Sequence, residues 1–255
     1  MPKSKFEQIY KELKQDIESG TLAYESLIPS ENQLVVRFDC SRNTVRRAIA
    51  MLAEEGYVQP MHGRGVRIIY QPSSQDNFTI GGVESFGESA ARNHRETSTR
   101  VVRFAEITAD ERISARTGFK VGTELYYIQR VRSLDGAAVV FDINLFDREL
   151  VPGLTEEICT ESIYRHIEET LGMPIVMSKR TITVERATPV DIVNLDLDDY
   201  DCLAVVNSQT FNSEGVQFEF NQSRRRPDFF CFQTTATRRR KPSDAGAADD
   251  ELLSD

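Results

Sequence analysis

Apolar residues recur at helical spacing through the first quarter of the chain and at alternate positions through most of the rest. Phe6, Ile9, Tyr10, Leu13 and Ile17 predict an amphipathic helix over residues 6–19, stopped by Gly20. After a turn at 21–29, Ser30 and Gln33 stand at capping-box spacing and open a short second helix over 31–38. Ser41 then caps a third helix. Val45, Ala48, Ile49, Leu52 and Ala53 form its apolar stripe, while Arg42, Asn43, Thr44, Arg46 and Arg47 fall on the opposite side or at its exposed start. Gly56 ends it. Two β-prone runs, 57–61 and 66–69, flank the tip His62-Gly63-Arg64-Gly65 and predict a small hairpin, or wing.

From residue 100 the period changes to two. Runs at 100–107, 124–132 and 138–146 read as strands, and Asp135-Gly136 between the last two is a hairpin turn whose residues tolerate positive φ. Further strands are predicted at 180–186, 202–211, 216–225 and 230–236, with helices at 109–117, 162–171 and 189–195. Strands joined by turns and interspersed with helices predict an α+β fold with a mostly antiparallel sheet. The division expected is a three-helix-plus-hairpin domain over 1–70, a polar linker over 71–77, a larger domain over 78–240 and a tail over 241–255.

Composition narrows the function classes. A chain of 255 residues with 40% hydrophobic and 28% charged residues has material for a real core, which excludes a disordered or collagen-like protein. No run approaches the roughly 20 apolar residues that span a bilayer, and the polar start lacks a secretory h-region, so the expectation is a cytoplasmic protein with no membrane partner. Cys40, Cys159, Cys202 and Cys231 lie far apart and do not cluster with His62, His94 or His166, so neither a metal site nor a disulfide framework is expected. The formal net charge of −9 argues against a general phosphate binder. It hides an asymmetry: residues 1–70 carry 10 basic and 9 acidic side chains, whereas the tail holds one lysine and five acids and reads as disordered.

The order of the first 70 residues is that of a winged helix-turn-helix, whose third helix enters the DNA major groove. Arginine pairs bidentately with guanine and asparagine with adenine, and hydroxyls at a helix start donate to phosphate. Ser41, Arg42, Asn43, Thr44, Arg46 and Arg47 therefore supply both readout and positioning. Ser30, Glu31 and the wing residues His62, Gly63, Arg64 and Gly65 complete the candidate DNA surface. A solvated basic helix face is the plainer alternative for the arginines, and an ordinary turn residue for His62.

Two features of the larger domain could bind an anion. Gly81-Gly82-Val83-Glu84-Ser85-Phe86-Gly87 offers backbone N–H groups beside a possible helix start, although a plain turn reads the same way. Arg130 and Arg132 share one strand face across the hairpin from Asp142, which suits a phosphate and sugar hydroxyls. The alternative is a cross-strand salt bridge on a solvated face. Arg224, Arg225 and Arg226 read equally well as a basic surface strip, Lys179 and Arg180 as solubilising charges, and His166 as structural.

Leu27-Ile28-Pro29-Ser30-Glu31-Asn32-Gln33-Leu34, Ser41-Arg42-Asn43-Thr44-Val45-Arg46-Arg47-Ala48-Ile49 and Leu52-Ala53-Glu54-Glu55-Gly56-Tyr57 closely resemble the DNA-binding head of GntR-family bacterial regulators. The wing departs from the usual G-x-G-T-[FY]-V, reading Gly63-Arg64-Gly65-Val66-Arg67-Ile68 with both glycines kept. Residues 77–239 resemble the chorismate-lyase-like UTRA effector domain of the HutC branch. Ser85-Phe86, Arg130-Val131-Arg132, Phe141-Asp142, Leu150-Val151-Pro152-Gly153-Leu154-Thr155 and Ser162-Ile163-Tyr164 are most similar to trehalose operon repressors.

The resemblance implies a homodimer that represses a sugar-uptake operon from a palindromic operator and is released by trehalose 6-phosphate, with no cofactor. The effector residues it implies are Ser85, Phe86, Arg130, Arg132, Asp142, Ser162, Tyr164, Glu219 and Arg225, the last where amino-sugar-phosphate sensors often have tyrosine. A chorismate-lyase-like enzyme is the competing class. No nucleophile–base pair or nucleotide motif supports it, and the expectation is a non-enzyme. Sequence-independent DNA architecture is a third reading, disfavoured by the net charge.

Overall fold

In the computed structural model, which describes residues 4–71, 79–80, 83–92 and 94–232, the chain divides into two compact units with the break at residues 74–75. The expected linker, apart from residue 71, the glycine pair Gly81-Gly82 and the acidic tail lie outside the described residues.

The first unit holds α1 (Lys5–Glu18), α2 (Glu31–Phe38), α3 (Arg42–Glu54), β1 (Val58–Met61) and β2 (Gly65–Ile68). Ile9, Leu13 and Ile17 from α1, Leu34 and Phe38 from α2, and Val45, Ala48, Ile49 and Leu52 from α3 make one buried cluster with Val58 and Ile68. Helix α2 begins in the expected Ser30–Gln33 capping box and ends at Asp39, whose φ of 45° is left-handed and turns the chain sharply into α3. Strands β1 and β2 pair antiparallel in register Met61 opposite Gly65, so His62, Gly63 and Arg64 form the tip. Gly63 and Gly65 have φ of 69° and 97°, which explains glycine at both positions. The segment 21–29, expected as a plain turn, also pairs with β2: Ile68 N donates to Ser26 O at 2.9 Å and Ile28 N to Val66 O at 3.0 Å. Its apolar residues, Leu22, Ala23, Tyr24, Leu27 and Ile28, fall in two clusters and not at alternate positions, so no period of two registers.

The second unit is built on β4 (Thr97–Thr108), β5 (Glu124–Leu134), β6 (Ala137–Asp147), β7 (Ile175–Arg186), β8 (Cys202–Asn212) and β9 (Gln217–Arg225), preceded by β3 (Thr79–Ile80) and followed by β10 (Cys231–Phe232). The six long strands form one antiparallel sheet in the order β4-β5-β6-β9-β8-β7. Its helices are α4 (Phe86–Arg92), α5 (Glu111–Thr117), α6 (Glu156–Thr160), α7 (Ile163–Arg165) and α8 (Pro189–Asn194). The Asp135-Gly136 turn has positive φ at both residues, as its sequence predicts.

On one sheet face, Tyr126, Ile128 and Phe146 pack against Val151, Cys159, Ile163 and Ile167. On the other, Leu125, Leu145 and Phe220 meet Phe119 and Ala109, and Val131, Phe141 and Val205 meet Leu195.

Three expectations change. The helix expected over 162–171 is one α-turn, α7, running into a π-helical turn, His166–Thr170, and α6 precedes it where no helix was expected. Both are too short to show a 3.6-residue period. Strand β7 starts at Ile175 rather than 180, because the exposed Val176 and Met177 mask its alternation. Of the strand expected over 230–236, Cys231 and Phe232 form β10, which pairs with β3 in parallel, while Phe230 is not in it and positions 233–236 lie outside the described residues.

A buried ion pair ties α8 to β9 in the second unit. Asp191, fully buried, closes the Thr188 capping box of α8 and accepts Arg224 Nε at 2.9 and 3.1 Å. Asp191→Ala leaves the Arg224 cation facing only the half-buried Glu185, and destabilisation by about 3–5 kcal/mol is expected in urea titration; a loss within 1 kcal/mol would contradict the role given to this pair.

Candidate functional site

Antiparallel register lays side chains of five strands on one face of the sheet in rows. Arg130 on β5 stands opposite Asp142 on β6, which stands opposite Ser223 on β9. One row along, Asn144 on β6 is opposite Asn221 on β9, then Ser208 on β8 and Arg180 on β7. A cavity of about 520 Å³ opens over this face, within the 300–1,000 Å³ range of small-molecule sites. The nine effector residues that the family resemblance implies all line it.

The arginines are unusually buried for their charge: Arg130 is 3% exposed and Arg132 7%. Arg130 donates from Nη2 and Nε to Asn144 Oδ1 at 2.8 and 3.2 Å and from Nη1 to the Cys159 carbonyl at 3.4 Å, so all its acceptors are neutral. Burial, joined by repulsion from Arg132, brings its guanidinium pKa down to about 10. Arg132 donates to Asp142 Oδ2 at 2.6 Å and lies over the Phe86 ring at 4.9 Å. The cross-strand salt bridge therefore exists, but on a buried face rather than a solvated one.

Burial raises the Asp142 pKa, and Arg132, Arg130 and Arg225 outweigh it to hold the carboxylate ionised below its usual range. Its Oδ1, like Asn221 Oδ1, is buried with no hydrogen-bond partner. At Arg225, which donates from Nε to Ser223 Oγ at 3.0 Å, burial brings the pKa down to about 10.

The neighbouring polar groups hold this surface rigid. Buried Glu219 accepts Asn144 Nδ2 at 2.9 Å, Tyr164 Oη at 2.6 Å and Thr210 Oγ1 at 3.1 Å. Burial nevertheless raises its pKa, and burial beside Glu219 raises that of Tyr164. Ser162 caps α7 by accepting from Arg165 N at 3.2 Å, and Ser85 caps α4 by accepting from Glu88 N at 3.2 Å.

The alternative reading of 224–226 as a basic surface strip does not hold. Arg224 and Arg226 are buried at 5% and 6%, bound to Asp191 and Glu185 and to Asp198 and Asp228 respectively, and β9 alternation sends Arg225 alone to the cavity face. Arg180 is half-buried at a smaller adjoining cavity, whereas Lys179 is exposed. On the opposite sheet face a cavity of about 660 Å³ also holds a buried arginine, Arg224, but carboxylates neutralise it there. Sequence reading passed over Asn144 and Asn221 in the cavity wall. Each lies two residues from a residue it selected, Asp142 and Glu219, and strand alternation alone would have found them.

In the first unit, Arg42, Asn43, Arg46 and Arg47 are exposed on α3. Arg46 Nε meets Glu31 at 3.0 Å and Arg47 stacks on Phe6 at 3.7 Å, so these two are held by the protein itself. Arg42 and the wing-tip Arg64 make no ion pair or side-chain hydrogen bond to another described residue. The Ser41 hydroxyl caps α3, accepting from Thr44 N at 3.2 Å, and meets the Thr44 hydroxyl at 2.9 Å, while Ser30 is committed to the α2 capping box. His62, Gly63, Arg64 and Gly65 are exposed. Among the described residues, no three His, Cys, Asp or Glu side chains are grouped to hold a metal ion, and no helix is long and apolar enough to cross a membrane.

Comparison with known proteins agrees with this division. Residues 5–68 match the family of bacterial regulatory proteins, gntR family, and residues 92–230 match the UTRA domain. The HTH-type transcriptional regulator TreR of Bacillus subtilis (strain 168) is 37% identical over 93% of this chain and 99% of its own length. The effector-binding domain of the B. subtilis trehalose repressor superposes with a TM-score of 0.51 at 34% identity, covering 56% of this chain and 99% of that domain. The fold of nearly the whole chain recurs in the possible transcriptional regulator YydK from B. subtilis, with a TM-score of 0.75 at 19% identity over 92% of this chain and 100% of that one. These relatives are regulators rather than enzymes, and the chain belongs to the GntR family of bacterial transcriptional regulators, in the branch that joins a winged helix-turn-helix to a UTRA domain.

Proposed function

We propose that this regulator is a repressor released by a sugar phosphate, trehalose 6-phosphate, which binds the cavity over the Arg130–Asp142 face. The observation that carries the reading is an unmatched set of groups. A buried arginine, Arg130, has only neutral acceptors, with Arg132 and Arg225 beside it, and two buried acceptor oxygens, Asp142 Oδ1 and Asn221 Oδ1, lack donors. A phosphate supplies the missing negative charge and sugar hydroxyls supply the missing donors. The 37% identity to TreR favours trehalose 6-phosphate among sugar phosphates.

DNA binding falls to α3 and the wing. In this reading a cytoplasmic homodimer meets a palindromic operator, because a two-fold protein matches a two-fold site. Release requires that effector favour an arrangement of the two heads that does not fit the half-site spacing, since a ligand shifts an equilibrium only by its differential affinity for the states. The segment 71–77 is the place assigned to that change.

Two outcomes check the reading. In fluorescence anisotropy with DNA from upstream of the regulated genes, at fixed salt, trehalose 6-phosphate should displace the wild type. Arg130→Ala should bind the DNA normally and fail to be displaced; displacement at wild-type effector concentrations would refute the cavity assignment. On the DNA side, Arg42→Ala should cost roughly 1–3 kcal/mol of operator affinity and relax sequence preference if Arg42 reads a base edge, and Arg64→Ala should lower the salt dependence by about one unit of slope if Arg64 meets phosphate. Unchanged affinity in both variants would remove α3 and the wing from the interface.

A further inference from the structure

The exposed arginines of α3 and the wing tip are held in different ways. Arg46 is turned toward a carboxylate: its Nε donates to both Glu31 oxygens, at 3.0 and 3.1 Å, so part of its charge is already matched. Arg42 and Arg64 are neither matched nor held by another described residue. Arg47 is held but not matched. Its guanidinium carbon lies 3.7 Å from the centre of the Phe6 ring, in the first turn of α1, and it makes no ion pair or hydrogen bond to another described residue.

A stacked ring covers one face of a planar guanidinium and leaves the N–H donors, which lie in its plane, open at the rim. Arg47 accordingly stays exposed while Phe6 is half-buried. The sequence also keeps carboxylates away from it. Three and four residues to either side on α3 stand Asn43, Thr44, Ala50 and Met51, and Glu7, the acid next to Phe6, is drawn to the start of α1, where it accepts Ser4 N at 3.3 Å. The ring thus fixes the cation without neutralising it. Arg47 follows Asn43 by four residues on the exposed face of α3, opposite the buried Val45, Ala48, Ile49 and Leu52. In a helix-turn-helix the first residues of the recognition helix reach base edges, and a cation one turn further along, bounded by α1, is placed for the backbone that flanks the groove. Lys5, the exposed residue before Phe6, adds positive charge to the same end of α1.

We propose that Phe6 is a positioning residue for DNA binding, holding Arg47 ready for a backbone phosphate, and that the DNA interface extends from α3 and the wing to the start of α1. This rests on the assignment of DNA binding to α3 and the wing and adds an element to it. A long side chain that is already ordered loses less entropy on contact, and an unpaired guanidinium brings its full charge to the phosphate. Phosphate contacts carry no sequence information, so Phe6 and Arg47 set affinity and not the choice of operator.

The test is a double-mutant cycle on the full-length protein, with Phe6→Leu, Arg47→Gln and the two combined, and with Phe6→Tyr as the conservative variant. Fluorescence anisotropy reads binding across a salt series, to DNA from upstream of the regulated genes and to a random-sequence duplex, and thermal melts check that each variant is folded. Arg47→Gln should lower the slope of log K against log salt by about one unit on both duplexes. Phe6→Leu should weaken binding about two- to tenfold, the range expected for ordering one long side chain. It should leave the ratio of upstream to random affinity within about twofold and cost nothing further once Arg47→Gln is in place. Phe6→Tyr should bind as the wild type does. If Phe6→Leu costs the same with and without Arg47, or lowers the melting temperature without changing affinity, Phe6 serves the fold and the proposal is overturned. An unchanged salt slope in Arg47→Gln overturns it too, and the assignment of α3 and the wing is then judged separately by Arg42 and Arg64. If the wild type binds neither duplex, both fall.

Discussion

Positive charge held inside the second unit without matching negative charge is the constraint around which its cavity face is organised. Removing a guanidinium from water costs several kcal/mol, and the structure returns that cost at Arg224 and Arg226 by pairing each with two carboxylates. At Arg130 it does not. There the partners are an amide and a backbone carbonyl, with Arg132 close enough to add repulsion. The two faces of one sheet thus carry buried arginines in opposite electrostatic states, neutralised on one side and left in surplus on the other.

That surplus survives because the surrounding network is rigid. Glu219 accepts three hydrogen bonds from three different elements and anchors Asn144, which in turn orients Arg130. Tyr164 reaches Glu219 from the short α7 turn that Ser162 caps, so the helical cover of the cavity is tied to its floor. An anion entering here meets donors already aimed, and little reorganisation opposes its binding. A shift at α7 would reach the strands directly through the Tyr164–Glu219 hydrogen bond, and one at α4 through the contact of the Phe86 ring with Arg132.

The head was legible from sequence almost residue by residue, because each of its signals is local. Ser30 with Gln33, Ser41 with Thr44, and the two glycines of the wing act within four residues of one another. The long strands were legible too, from alternation. Less was visible where structure depends on partners distant in sequence. The fates of Arg224 and Arg225 could not be told apart without knowing that Asp191 and Glu185 wait on one face and a cavity on the other. Asn144 and Asn221 were overlooked because amides on strands carry no charge to attract notice, although their spacing from Asp142 and Glu219 placed them on the same face. The π-helical turn after α7 and the two-residue β3–β10 pairing are too short for any period to reveal.

A cavity over β5 and β6 built for a phosphate ester must distinguish trehalose 6-phosphate from trehalose itself in calorimetry on the full-length protein at fixed ionic strength. Charge-assisted hydrogen bonds of about 1.5–3 kcal/mol each, from two arginines, predict that the ester binds on the order of 100-fold tighter or more. Equal affinity for the two sugars would mean that the buried arginines serve the fold and not an anionic effector.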